Sequence, residues 1–137
     1  MGAVVTTNLQ HVVALIGRIA LAAVFIFEGI HKLTGLDATA AYMARGGLPM
    51  VPVLLALSIL VELGGGLAIA AGWKARWAAA AIAAFIVPVT LVFHVPFVTD
   101  AQAGAMQTMQ SLKNLSIFGG MLLLVAFGPG RYSLDRT

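Results

Sequence analysis

Between Val51 and Trp73 the chain runs for the width of a bilayer with one charged side chain, Glu62, near its middle. At helical rise the carboxylate sits roughly 16 Å from either end of that run, inside the hydrocarbon layer. Backbone amides at that depth find no water, so the run has to satisfy its own hydrogen bonds as a helix. An ionised carboxylate there costs about 3 kcal/mol or more unless something answers it. Three answers exist: a buried base, a retained proton, or a ligand or proton route. The rest of the chain can be searched for each.

The surroundings are equally apolar. Of 137 residues, 61% are hydrophobic and only 9% charged, which places the chain outside soluble globular composition. Hydropathy predicts an all-α membrane protein, a four-transmembrane-helix bundle, with spans over residues 9–33, 51–73, 77–98 and 111–127 in a single domain, 1–137. The first apolar run begins at His11, carries Arg18 and lacks a convincing cleavage site, so it reads as a retained helix rather than a secretory signal. The absence of cysteine removes disulfides, thiol catalysis and Cys-ligated zinc or iron–sulfur centres. A net charge of +3, scattered along the chain, is no nucleic-acid footprint.

The connections are punctuated by glycine and proline. The segment 38–44 is expected to form a short interfacial helix with Tyr42 at headgroup level. Gly72-Trp-Lys-Ala-Arg76 is a tight turn, so the second and third spans are antiparallel neighbours. Pro88 is expected to kink the third span. Residues 99–110 read as a polar loop, and Gly128-Pro-Gly-Arg131 stops the fourth span. Lys74, Arg76, Arg131, Arg136 and Arg18 fall towards one side, with Trp73 and Trp77 as an aromatic belt. Lys32, Arg45 and Lys113 fall towards the other. Both termini are therefore expected inside the cell, N-in/C-in.

This topology sorts the polar groups by depth. Glu28, His31, Lys32, His94, Lys113 and Asn114 gather near the outer face, above a deeper pair, Arg18 and Glu62. Arg18, Ala22, Phe25, Gly29 and Lys32 share one helical stripe, and Leu21, Val24, Glu28 and His31 the next, so the first span turns its polar side into the bundle. Arg18–Glu62 is expected to be a structural ion pair that fixes register. Lys32 and Lys113 can snorkel to the interface, and Glu28 can pair with either. Gly64 to Gly66, Ser116, Gly119 and Gly120 are expected where helices approach closely.

Three sharper chemistries remain. Two histidines on different helices, His31 and His94, could ligate haem b or a metal. A buried acid beside histidine and amide groups could bind a quinone headgroup, whose oxygens need hydrogen-bond donors and titratable neighbours. A small-solute or ion path is the third, although four short helices enclose little volume.

Several stretches together resemble one family. Gly17-Arg18, Phe25-Ile-Phe-Glu-Gly29-Ile-His-Lys32, Glu62-Leu-Gly-Gly-Gly66 with Gly72-x-x-x-Arg76, His94-Val-Pro-Phe97, Lys113-Asn-Leu-Ser-Ile-Phe-Gly-Gly and Gly128-Pro-Gly-Arg-Tyr-Ser-Leu-Asp135 are similar to the helices and tail of DoxX-type membrane proteins. The resemblance covers residues 18–135. It implies a four-helix inner-membrane protein and, in some members, thiosulfate:quinone oxidoreduction or membrane redox and oxidative-stress assemblies. Carried over position by position, it points to Arg18, Glu28, Lys32, Glu62, His94, Lys113 and Asn114. His31 has no counterpart in it, which argues against haem b.

Taken together, the expectation is a quinone-interacting or electron-transfer-associated subunit in the cell inner membrane. Glu28 and His94 would exchange protons, Lys32, Lys113, Asn114 and His31 would hold the cofactor, and no metal is expected. With no redox centre of its own, the chain would need a redox partner protein or a diffusible cofactor, and it could form a homo-oligomer. The alternatives are a non-catalytic scaffold or assembly partner, and a small-solute or ion path.

Overall fold

A computed structural model describes residues 7–94 and 101–135. Its elements in chain order are α1 (Asn8–Thr34), α2 (Leu36–Arg45), α3 (Val51–Ala71), α4 (Ala75–Phe93) and α5 (Ala101–Phe127). Among the described residues all regular structure is helical. Four helices are long and apolar enough to cross a membrane: α1, α3, α4 and, from Gly104 onward, α5. The protein is an all-α membrane protein.

Local chemistry sets the boundaries. Thr7 and Gln10 exchange side-chain and backbone hydrogen bonds at the start of α1, at 2.8 and 3.4 Å, which satisfies two of its free amides. The α3–α4 turn needs left-handed backbone at Gly72 (φ 70°), where a side chain would collide with Ser133. The interfacial helix expected at 38–44 is α2, slightly longer at both ends. Two expectations need correction. The polar stretch read as a loop to residue 110 is helical from Ala101, because Ala, Gln and Met are strong helix formers whatever their hydropathy. The described part of α4 ends at Phe93; residues 95–98 of its expected continuation, Pro96 among them, and Asp100 after it lie outside the described residues.

The long helices pack in sequence order around the bundle. Gly29 meets Leu63 and Gly66 meets Ile26 so closely that a Cβ at Gly29 would lie 2.6 Å from the Leu63 Cβ. Gly65 lies against Ile82 of α4 in the same way, and Gly120 against Leu21. The glycines after Glu62 are therefore where neighbouring helices come nearest, as the sequence suggests. Their contacts fix an antiparallel register between α1 and α3. In that register Glu62 is level with the last turns of α1, and Arg18 is level with the α3–α4 turn.

The buried face of α1 consists of Arg18, Ala22, Phe25 and Gly29, the stripe read from the sequence. Below mid-height the bundle closes on an apolar core that includes Ala22, Ile69, Ala79, Ile82 and Met121, all at 0% exposure. The outer faces carry Phe27, Leu60, Leu91 and Leu123, each more than half exposed, as lipid contact requires.

Both described ends of the chain lie at one end of the bundle. There the tail after α5 crosses the α3–α4 turn, with Leu134 and Asp135 amides donating to Ala71 and Gly72 carbonyls at 3.1 and 2.7 Å. The Asp135 carboxylate accepts from the Lys74 and Ala75 amides at 2.8 and 2.9 Å, capping α4 from sixty residues away in the chain.

Candidate functional site

The two intramembrane charges do not form a pair. Arg18 is buried at the tail end, where Nη1 donates to the Pro129 carbonyl at 2.6 Å. Its Nη2 donates to the carbonyls of Tyr132 and Ala70 at 2.7 and 3.2 Å. The guanidinium thus ties three stretches of backbone together, and Asp135 is the acid whose charge acts on it. The expected Arg18–Glu62 pair is wrong because α1 and α3 are offset. Glu62 lies well over two helical turns nearer the other end.

Glu62 instead accepts from Lys32 Nζ at 2.5 Å, with the two side chains 8% and 20% exposed. A single wide π turn at Leu60–Gly64 carries the carboxylate, a kind of irregularity often found at functional sites. Helix α3 runs on past the end of α1, so Lys32 is deeper than its place at the end of its own helix suggests. Its ammonium also lies 5.9 Å from the centre of the Phe85 ring.

Beside this pair, at the end opposite the tail, is a cavity of about 640 Å³. Its polar wall is Glu28, Lys32, Glu62, His94, Lys113 and Asn114, and its apolar wall includes Val24, Phe25, Val61, Phe85, Ile86, Val89 and Ile117. Helix α2 roofs it with Thr39, Tyr42 and Met43, and Tyr42 stacks on Phe93 with ring centres 5.1 Å apart. The size and the mostly apolar lining with a few polar groups are those of a small-molecule site.

The polar groups are held in different ways. Asn114 is buried and donates to the Thr90 hydroxyl at 2.9 Å, which itself donates to the Ile86 carbonyl. His94 ends α4, and its carbonyl accepts from Ser111 at 2.6 Å. Its Nδ1 faces Gln107 Oε1 at 3.0 Å. With that oxygen accepting, the neutral ring carries its hydrogen on Nδ1 and leaves Nε2 as the acceptor. Glu28 lines the cavity with no hydrogen bond or ion pair among the described residues.

Six of the eight site residues picked from the sequence therefore meet at one cavity. Arg18 belongs to the tail end. His31 is a second correction: it is exposed, stacks on the lipid-side ring of Phe27 at 6.3 Å and lines no part of the cavity. The helix turns by a sixth of a circle or more between neighbours in the 28–31–32 set, which is enough to send His31 outward while Glu28 and Lys32 stay inside. Ser58, Thr90, Gln107 and Gln110 were not picked. Gln107, Gln110 and Asn114 recur at helical spacing on α5, and Ser58 precedes Glu62 by one turn, so a search for polar stripes would have found them.

Comparison with known proteins agrees with this architecture. The DoxX family profile matches residues 13–95. Inner membrane protein YqjF of Escherichia coli (strain K12) is 41% identical over 129 residues, covering 94% of this chain and 94% of the relative. Inner membrane protein YphA of the same organism is 33% identical over 125 residues, covering 91% of this chain and 89% of the relative. No solved structure matches the chain.

Proposed function

This chain belongs to the DoxX family and is a multi-pass inner-membrane protein, and on that footing we propose that its cavity binds a quinone headgroup as part of an electron-transfer assembly. The observation that carries the reading is a largely apolar cavity inside the bundle whose one polar wall combines donors, a base and a free carboxylate. A quinone ring needs donors at its carbonyl oxygens, flat apolar walls, and groups that can take or give protons nearby.

The residues divide that work. Lys32, held in place by Glu62, directs a cationic donor into the cavity. Lys113 and the remaining Asn114 N–H supply donors from α5. His94, with its Nδ1 hydrogen committed to Gln107, presents Nε2 as a proton acceptor. Glu28, a carboxylate of the site outside the Lys32–Glu62 pair, is its proton-exchange partner. Phe25, Phe85 and Phe93 flank the space a ring would fill. When bound, a quinone would supply the two-electron, two-proton chemistry that no side chain here carries. The electrons would come from a redox partner protein.

Titration of the purified full-length protein with a short-prenyl benzoquinone, followed by calorimetry, tests the reading. Saturable binding in the wild type, weakened in Glu28→Gln and lost in Lys32→Met, is expected. No binding, or wild type and both variants alike, would refute it. A solute path has less support, because the core of Ile69, Ile82 and Met121 closes the bundle beneath the cavity.

A further inference from the structure

Three of the four seams around the cavity are closed. Helices α1 and α3 are joined by the Gly29–Leu63 contact and the Lys32–Glu62 pair. Gly65 against Ile82 brings α3 and α4 together below the cavity, and at its level α2 bridges them, packing on α3 and stacking Tyr42 on Phe93. Three hydrogen bonds, from Asn114 to Thr90, from Ser111 to the His94 carbonyl and between His94 and Gln107, join α4 to α5. The α1–α5 seam is built differently. Its helices close at Leu21 against Gly120, and below that the tail's Gly130 lies against Ala14. Above that level Val24 and Glu28 on one side, and Ile117 and Lys113 on the other, line the cavity itself. No hydrogen bond or ion pair among the described residues ties the two helices at the level of Glu28 and Lys113.

We propose that the α1–α5 seam is a lateral portal, through which a prenyl-tailed quinone enters from the bilayer and in which its tail lies while the ring sits against Lys32 and Glu62. This rests on the quinone reading of the cavity and adds the direction of entry and the need for a lipid tail. The far end offers no entry, since the buried core blocks it, and the α2 roof covers the top. A cavity of about 640 Å³ encloses a drug-sized headgroup and little more, so a long chain has to leave it. The seam suits that chain. Its lower part is Leu21, Val24 and Ile117, and its charged pair of positions, Glu28 and Lys113, lies above, where the ring would pass. Val24, at the edge of this seam, is 40% exposed and lines the cavity.

The test uses the full chain in lipid nanodiscs, with a short-prenyl benzoquinone, its long-prenyl counterpart, and a long-prenyl form carrying a photoreactive group on the first prenyl unit. Val24→Trp narrows the seam, and Leu91→Trp puts the same bulk on a lipid-facing site of α4. Because Val24 also lines the cavity, Val24→Trp is expected to weaken both probes, the long-prenyl one about tenfold more than the short one, with Leu91→Trp like wild type. In the unmodified chain the photolabel is expected on α1 and α5 peptides. Equal effects of Val24→Trp on both probes, no effect on either, or labelling confined to α3 and α4 would each overturn the portal. If the short probe binds and the label falls elsewhere, only the portal fails. If neither probe binds wild type, the headgroup reading fails and the portal with it.

Discussion

The bundle buries a charge at each end and satisfies the two in opposite ways. Arg18 is answered by backbone: three carbonyls from α3 and the tail accept from its two terminal nitrogens, while its buried Nε has no partner among the described residues, and the tail is itself clamped by Asp135. Glu62 is answered by one flexible side chain, Lys32, on the wall of a cavity that also holds Glu28, His94 and Lys113. Backbone partners cannot be moved without unfolding something, so the first arrangement is a structural clasp. A side-chain partner beside empty volume can share its hydrogens with a ligand, so the second is a place for binding. The same problem, a charge in hydrocarbon, is solved once for stability and once for chemistry.

The largest expected effect tests the clasp. Arg18→Met leaves one buried and two partly buried carbonyls without their donor and is expected to cost about 3–5 kcal/mol, read as loss of folded protein in a denaturant titration. If this variant keeps wild-type stability, the tail end is no clasp. Next comes Lys32→Met, which leaves Glu62 buried without a partner and is expected to cost about 3 kcal/mol together with quinone binding. A double-mutant cycle separates the ends further. Lys32→Met with Glu62→Gln should couple by about 1–3 kcal/mol, whereas Arg18→Met with Glu62→Gln should be additive within about 0.5 kcal/mol. Coupling in the second cycle would restore the pairing that the register denies.

Smaller effects follow. Asp135→Ala removes the cap on α4 and is expected to cost about 1 kcal/mol in thermal unfolding, with quinone affinity unchanged. Loss of affinity in that variant would mean that the two ends communicate. Glu28→Gln should change stability by less than about 0.5 kcal/mol while weakening the ligand, since the carboxylate supports no other part of the fold. A large stability loss would make Glu28 structural.

Most of the fold was legible because the bilayer leaves so few choices. The spans, the tight 72–76 turn, the α1 stripe and the close-packed glycines follow from hydropathy, spacing and residue size. Arg18 and Glu62 show what was not legible. Each could be placed within its own helix, but pairing them required the offset between helices, which is set by Gly29 meeting Leu63 rather than by either span's length. The π turn under Glu62 and the roof made by α2 depend on tertiary packing in the same way. His31 was placed on the wrong side for a simpler reason: at the edge of a polar stripe, one residue of rotation decides between cavity and lipid. The tail was read as a helix stop, and nothing in Tyr132-Ser-Leu-Asp135 announces that its carbonyls and carboxylate hold the opposite end together.

Purification from the native membrane followed by native mass spectrometry tests the division of labour most directly. The wild type is expected to carry one bound prenyl quinone, Asp135→Ala to retain it, and Lys32→Met to lose it. A wild type without quinone, or a bound quinone indifferent to Lys32, would contradict the assignment of the Glu62 end to binding.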